Sequence, residues 1–285
     1  MLYLSKFKFP DGNMEAGFLF GVKRTCYDTF YPFQIFPRHQ FRQIDFEPIT
    51  ILYGGNGTGK STALNVIAEK AELTRDSIYN KSNFYEDYLD LCELETELPI
   101  PEGSRIITSD DVFDYMLNVR SLNQGIDNKR EELFSEYLDN KYSSFRFESI
   151  ADYDRLKKVN KSRSKTQSRY VRSELMDNVR EYSNGESAFR YFTEKMEENA
   201  LYLLDEPENS LAPGRQLELV DYVGSAARFF GCQFVISTHS PFFLAMRGAK
   251  IYNLDDDPVS IANWTELENV QAYYSFFKEH EKEFL

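Results

Sequence analysis

Apolar and polar positions follow two different periods along the 285-residue chain. Residues 17–53 read as strands, in which the aromatic runs FYPFQIFP (30–37) and FRQIDFE (41–47) are β-prone and broken at Pro37 and Arg38-His39. ITILY (49–53) is an unbroken apolar strand that runs into a glycine cluster, and TALNVIAEKAEL (62–73) continues with helical spacing. From about 76 to 180 the pattern weakens. RIIT (105–108) predicts a short strand, and VFDYMLNVR (112–120) and KREELFSEYLDNKY (129–142) predict helices, with no heptad sustained long enough for a coiled-coil arm. Order returns after 184. LYLL (201–204), QFVIS (233–237) and KIYNL (250–254) read as buried strands. Between the first two, Leu219, Val220, Val223, Ala226, Ala227 and Phe230 share one helix face. In the tail, Trp264, Leu267, Val270, Tyr274 and Phe277 recur at helical spacing, which predicts a helix packed on the core; a partner-binding helix is the other reading. Strands alternating with helices predict an α/β domain with a mainly parallel sheet.

Composition narrows the picture. With 42% hydrophobic and 15% aromatic residues, the chain has the material for a core and is not disordered. The net charge of −13 argues against a general polyanion-binding surface and leaves room for a local basic patch. Three scattered cysteines, Cys26, Cys92 and Cys232, make no disulfide framework and suit a reducing cytoplasm. No apolar run has the length of a membrane span, and MLYLSKFKFPDG lacks a signal-peptide core, so no membrane partner is expected.

The glycine cluster carries the first chemistry. Gly54-Gly55-Asn56-Gly57-Thr58-Gly59-Lys60-Ser61 fits G-x-x-x-x-G-K-[ST] in full, between a strand and a helix that Thr62 continues. Glycines let backbone N–H groups turn inward around phosphate oxygens. Lys60 would supply positive charge to the β- and γ-phosphates, the Ser61 hydroxyl would ligate Mg²⁺, and the helix N-terminus adds its dipole. Such a loop establishes nucleotide binding and leaves its purpose open.

The second half narrows that purpose. LYLLDE (201–206) is an apolar strand ending in two carboxylates, at the edge where open α/β sheets bind ligands. Asp205 can hold the Mg²⁺ shell while Glu206 serves as general base toward a water. Tyr182-Ser183-Asn184-Gly185-Glu186-Ser187 precedes this strand, and Thr238-His239-Ser240 follows the next one. In order and spacing these motifs resemble the ABC-type ATPase superfamily: phosphate loop, signature (SNGES), Walker B with D-loop (DEPENSL) and switch histidine (His239). DEPENSLAP and THSPFFL look more like the soluble branch, which includes SMC, RecF and RecN proteins, the ATPase part of OLD nucleases and small bacterial "AAA family" ATPases.

That resemblance implies a P-loop NTPase core of ABC-ATPase type with an N-terminal antiparallel β portion and an inserted helical lobe. It divides the chain into 1–75 (β portion and phosphate loop), 76–190 (lobe and signature) and 191–285 (Walker B, D-loop, switch histidine and C-terminal segment). It implies a homodimer around ATP and Mg²⁺, in which Ser183, Asn184, Gly185 and Glu186 act in trans on the ATP held by the other chain, and His239 contacts its γ-phosphate. It also implies ATP hydrolysis that drives or gates a protein effector, a nuclease or toxin, in bacterial phage defence or DNA maintenance. A transporter ATPase subunit and a slow ATP-gated scaffold are the alternatives. The sequence departs from the family at the Q-loop, where Ser109-Asp110-Asp111 or Gln124 stands in, and it offers Phe36 or Phe41 as the adenine-stacking ring.

One feature lies outside these motifs. Residues 155–172 hold eight Lys and Arg residues and no Asp or Glu. Phosphate contacts to DNA or RNA through Lys161, Arg163 and Lys165 are one reading. A solvated or self-paired face, and contact with nucleotide or a protein, are the others.

Overall fold

The computed structural model describes residues 1–23, 26–27, 29–144, 153–178, 184–209 and 211–284. It divides into two compact units, one of residues 1–113 and 184–285, the other of residues 114–183.

The larger unit is an α/β core built on two sheets. In the first, β1 (Leu4–Lys8) lies between β2 (Gln43–Asp45) and β4 (Glu93–Thr96), antiparallel to both. The second has the order β5-β6-β7-β3-β8-β9, from β5 (Arg105–Thr108), β6 (Leu201–Asp205), β7 (Gln233–Ser237), β3 (Ile49–Tyr53), β8 (Lys250–Asn253) and β9 (Ser260–Ile261). All its pairings are parallel except β8 with β9. Every residue of β3 and β7 is buried, as expected of strands covered on both faces. Side chains join the two sheets: Tyr252 and Lys250 of β8 bond the main chain of Asp45 on β2, and Gln233 of β7 bonds the start of β1. The fully buried Gln233 amide accepts from the N–H groups of Tyr3 (2.7 Å) and Leu4 (2.8 Å) and donates to the Leu4 carbonyl (2.8 Å).

The aromatic segment 30–37 is not a strand. Tyr31–Gln34 turn, and Phe36–His39 form a 3-10 helix. Pro32 and Pro37 carry no N–H for a ladder, and Gln34 and Gln40 take positive φ of 68° and 50°. The rings fill the core instead. Phe9 lies 4.2 Å from Phe36 and 5.3 Å from Phe41, ring to ring. In the run 41–47 only β2 is extended in a ladder. Upstream, residues 17–21 belong to a helix, α1 (Gly12–Gly21), started by the Asp11 carboxylate, which accepts from the N–H groups of Asn13 and Met14. The segments 112–120 and 129–142 are parts of one continuous helix, α4 (Ser109–Tyr142).

Helix α2 (Lys60–Lys70) packs on β5, β6 and β7, and α3 (Tyr85–Leu91) packs on α2. Helix α8 (Pro213–Phe229) buries Leu219, Val223 and Ala226 of its predicted face, whereas Phe230 is exposed.

The smaller unit is helical. It contains most of α4 together with α5 (Tyr153–Ser164) and α6 (Gln167–Arg172). Its core gathers Leu133, Tyr137, Tyr170 and Val171, with the two tyrosine rings 5.5 Å apart. Of residues 76–190, the segment 114–183 makes up the smaller unit, and 76–113 and 184–190 belong to the larger one.

Further along the core unit come α7 (Asn184–Lys195), α9 (Pro241–Leu244) and α10 (Glu268–Glu279). The tail helix does not pack as the core-facing reading expects. Leu267 and Val270 are buried, but Trp264, Tyr274 and Phe277 are 40%, 59% and 53% exposed.

Candidate functional site

Strands β3, β6 and β7 lie side by side and parallel, so their C-terminal ends deliver their following residues to one edge. From β3 comes the glycine loop. Gly57 and Gly59 take φ of 84° and 96°, values that L side chains rarely adopt. A Cβ on Gly59 would stand 2.9 Å from the Ile35 side chain and 3.3 Å from the Phe36 ring. The loop therefore fits only with glycine there. Thr58 closes it by donating to the Gly55 carbonyl (2.9 Å).

Lys60 opens α2 and is almost completely buried. Its ammonium donates to the carbonyls of Gly54 (2.7 Å) and Gly55 (3.1 Å) and to His239 Nε2 (2.8 Å). An ammonium only donates, so Nε2 is the unprotonated ring nitrogen. Burial pulls the Lys60 pKa down, against the pull of Glu206 and Asp205. Burial and the Lys60 charge together hold His239 below the usual histidine value of 6.5.

From β6 come the two carboxylates. Asp205 Oδ1 accepts from the Ser61 hydroxyl (3.1 Å) and from the Ser237 hydroxyl on the next strand. Burial raises its pKa, and those two hydroxyls oppose the rise. Glu206 leaves the strand at a φ of 49°, with its N–H on the Ser237 carbonyl (3.0 Å). Asn209 donates to its Oε2 (3.0 Å), and Oε1 lies 3.8 Å from His239 Nε2. Phosphate loop, Asp205, Glu206 and His239 thus form one cluster.

The remaining predicted residues are placed as follows. Thr62 accepts from the Tyr31 hydroxyl (3.1 Å). Asn56 is exposed at the loop tip. Asn184, Gly185 and Glu186 begin α7, and Ser183 lies outside the described residues. Phe36 and Phe41 are 1% and 3% exposed and packed on Phe9, so neither offers a face to an adenine. At the Q-loop position, Asp111 caps a helix. Its Oδ2 accepts from the Thr108 N–H (2.6 Å) and hydroxyl (2.9 Å), while its own N–H donates to Thr108 Oγ1 (3.3 Å). Gln124 is an exposed residue of α4.

Within the basic segment, several cations have partners in their own unit. Lys158 pairs with Glu136 at 2.6 Å and Lys157 with Asp154 at 3.9 Å. Lys161 pairs with Glu174, and Arg163 donates to the Ser143 carbonyl (2.8 Å). Lys165 is half-buried, its carbonyl accepting from the Tyr137 hydroxyl (3.1 Å).

Three contributors escaped the sequence reading. Asp255 accepts from the Gly55 N–H (2.7 Å), Glu208 accepts from the His239 N–H (2.6 Å), and Asn269 donates to the His239 carbonyl (2.6 Å). Asp255 had a signal, an acidic run directly after an apolar strand. Glu208 lies inside the DEPENSL run without a role of its own, and Asn269 had no signal, because each contact with His239 depends on the fold.

A parallel sheet with a glycine loop, a buried lysine and a carboxylate pair at one edge defines a P-loop ATPase of the ABC type. A family model described as "ABC transporter" matches residues 43–209, more than half of the chain, and the chain belongs to that family of ATPases. A model of an AAA ATPase domain matches residues 183–244. Similar solved structures include an Smc head domain from Pyrococcus furiosus, with an extended coiled coil and bound to the C-terminal domain of ScpA. It is 12% identical, with 99% of this chain and 100% of that one covered, at a TM-score of 0.43. An SMC head domain from Thermotoga maritima is 12% identical over 92% of this chain and 99% of that one, at a TM-score of 0.39. A dimeric ATP-binding cassette in a post-hydrolysis state, bound to ADP and Pi, is 12% identical over 79% and 90%, at a TM-score of 0.37. No curated protein matches the chain. Among the described residues, no helix is long and apolar enough to cross a membrane.

Proposed function

We propose that this chain binds ATP with Mg²⁺ between two copies of itself, hydrolyses it, and uses the cycle to drive or gate a protein effector. The observation that carries this reading is the convergence of Lys60, Ser61, Asp205, Glu206 and His239 on one sheet edge. Ser61 Oγ and Asp205 Oδ1 are the hard oxygen donors that Mg²⁺ takes, and they already meet at 3.1 Å. Bound there, the ion would neutralise charge on the β- and γ-phosphate oxygens.

The chain's own residues divide the remaining work. Backbone N–H groups of the loop cradle the phosphates, and Lys60 exchanges its two loop carbonyls for phosphate oxygens. Glu206, steadied by Asn209, takes the proton of the attacking water. His239 stands beside both and contacts the γ-phosphate. Ser183, Asn184, Gly185 and Glu186 of a second copy close the site, as the family resemblance implies. The effector is a nuclease or toxin, the setting the bacterial cytoplasm, and the role phage defence or DNA maintenance.

The test is ATP turnover together with light scattering. Glu206→Gln should bind ATP and accumulate as a dimer without turning over. A variant that stays monomeric with ATP and Mg²⁺, or that hydrolyses at the parent rate, refutes the assignment.

A further inference from the structure

His239 sits in a short connection between β7 and α9, where no ladder or helix holds its peptide groups. Thr238 is still tied to the sheet, its N–H donating to the Leu52 carbonyl (3.3 Å). Ser240 caps α9, accepting from the Phe242 N–H (3.2 Å) and donating to Gln216 Oε1 on α8 (2.7 Å). Between them, both main-chain polar groups of His239 are taken by side chains from distant parts of the chain.

Glu208, two residues past the catalytic carboxylate, accepts from the His239 N–H (2.6 Å) and the Ser240 N–H (3.2 Å) through one oxygen. Asn269, in the first turn of α10, donates to the His239 carbonyl (2.6 Å). Asn269 is fixed in turn by its own N–H, which donates to the Tyr53 hydroxyl (3.3 Å). Tyr53 is the last residue of β3, immediately before the phosphate loop, and its ring lies edge-on to the His239 imidazole at 6.3 Å.

A buried carboxylate is costly to keep unless donors satisfy it. Glu208 spends its accepting oxygen on the switch-histidine peptide. Burial pushes its carboxyl up, and the His239 N–H opposes that rise. We infer that Glu208 and Asn269 are positioning residues, a two-sided clamp on the main chain of His239 that fixes where its imidazole stands relative to Lys60 and Glu206. The inference rests on the proposed role of His239 in ATP hydrolysis.

The clamp makes His239 answer to two other places at once. Glu208 belongs to the segment that carries Glu206, so a shift of the general base is passed to the histidine backbone. Asn269 belongs to α10, so a displacement of that helix reaches the γ-phosphate contact without touching nucleotide.

The experiment uses the full chain with Glu208→Ala, Glu208→Gln, Asn269→Ala and His239→Ala, each checked for an unchanged melting temperature. Two readouts are needed. The first is the His239 imidazole signal in histidine-labelled protein, which has only three histidines. The second is steady-state ATPase kinetics beside ATP affinity. Glu208→Ala and Asn269→Ala should move or broaden the His239 signal. They should lower kcat by about tenfold to a hundredfold while ATP affinity stays within about twofold. Glu208→Gln keeps an acceptor oxygen and should recover most of the rate. Either alanine change added to His239→Ala should cost nothing more.

An unmoved His239 signal overturns the clamp, as does a further loss on the His239→Ala background. If His239→Ala alone runs at the parent rate, the reading of His239 fails, and the imidazole signal still decides whether the clamp exists. If a variant melts early, Glu208→Gln and the imidazole signal of the folded fraction separate a clamp from a general packing role.

Discussion

Lys60 Nζ and His239 Nε2 meet at 2.8 Å, so the cation of the phosphate loop and the His239 imidazole share one proton-bearing contact. Burial first, and then the Lys60 charge, hold the His239 pKa down, because a second positive charge at that distance would be repelled. Replacing Lys60 by alanine should therefore raise the His239 titration midpoint toward the ordinary value of 6.5, as followed by NMR. The same variant should lose ATP affinity by about a hundredfold in calorimetry, since a charge-assisted contact to phosphate goes with the ammonium. An unshifted His239 midpoint means that the contact does not persist in solution.

Glu206→Gln keeps size and hydrogen bonding to Asn209 and cannot accept a proton. The expected loss in kcat is about 10²- to 10⁴-fold, the span of a general base. ATP affinity should be preserved, which separates this variant from Lys60→Ala in a single-turnover assay.

Asp111→Ala removes one half of the reciprocal cap with Thr108. It should cost about 1 kcal/mol of stability in urea melts. Turnover per folded molecule should hold, because Asp111 spends its bonded oxygen on the helix start. A large loss of kcat at full stability would instead give Asp111 a part in the chemistry.

Glu15 is buried on α1 and accepts from the Gln34 N–H (2.6 Å). Burial raises its folded pKa above the ordinary 4.5. The folded chain then holds more protons than the unfolded one above that value, so this contribution to stability declines as pH rises through the folded pKa. Glu15→Gln cannot ionise. Its stability relative to the parent should improve as pH rises above the ordinary carboxyl value of 4.5 and level off once Glu15 of the folded parent has ionised, measured by paired denaturant melts. A constant difference would show that Glu15 is solvated.

Within the smaller unit, Lys161 and Glu174 form an ion pair of half-exposed side chains. Exchanging the two charges (Lys161→Glu with Glu174→Lys) should restore the melting temperature that either single reversal lowers, with a coupling of about 1 kcal/mol or less. If the single reversal at Lys161 weakens nucleic-acid retention at low salt and the exchange does not restore it, the segment uses its charge outward.

The phosphate loop and the Asp205-Glu206 pair were legible because their chemistry is local: glycines beside a lysine, and an apolar run that stops at two carboxylates. The second sheet was legible for the same reason, since LYLL, QFVIS and KIYN are too apolar to lie anywhere else. Residues 30–37 were misread because aromatic composition does not distinguish a strand from a turn that fills a core, and Pro32 and Pro37 carried the deciding information. The tail helix was misread in the opposite sense. Helical spacing was real, but periodicity does not say what lies opposite the apolar face. The contacts of Glu208, inside DEPENSL, and of Asn269 were not legible because partners 31 and 30 positions away belong to the fold alone.

The strand order has a temporal side. β3 lies between β7 and β8, and the bonded pairs Lys60–His239 and Gly55–Asp255 are 179 and 200 positions apart. Loop closure over such spans must be met before the contacts reward it, which slows parallel pairing. On a ribosome, the phosphate-loop strand emerges early and has no sheet neighbours until residues 233–253 have followed. The chain therefore cannot grip its nucleotide while it is being made. Nucleotide arriving afterwards stabilises only finished molecules, and the apolar strand ITILY lacks its parallel partners in the meantime.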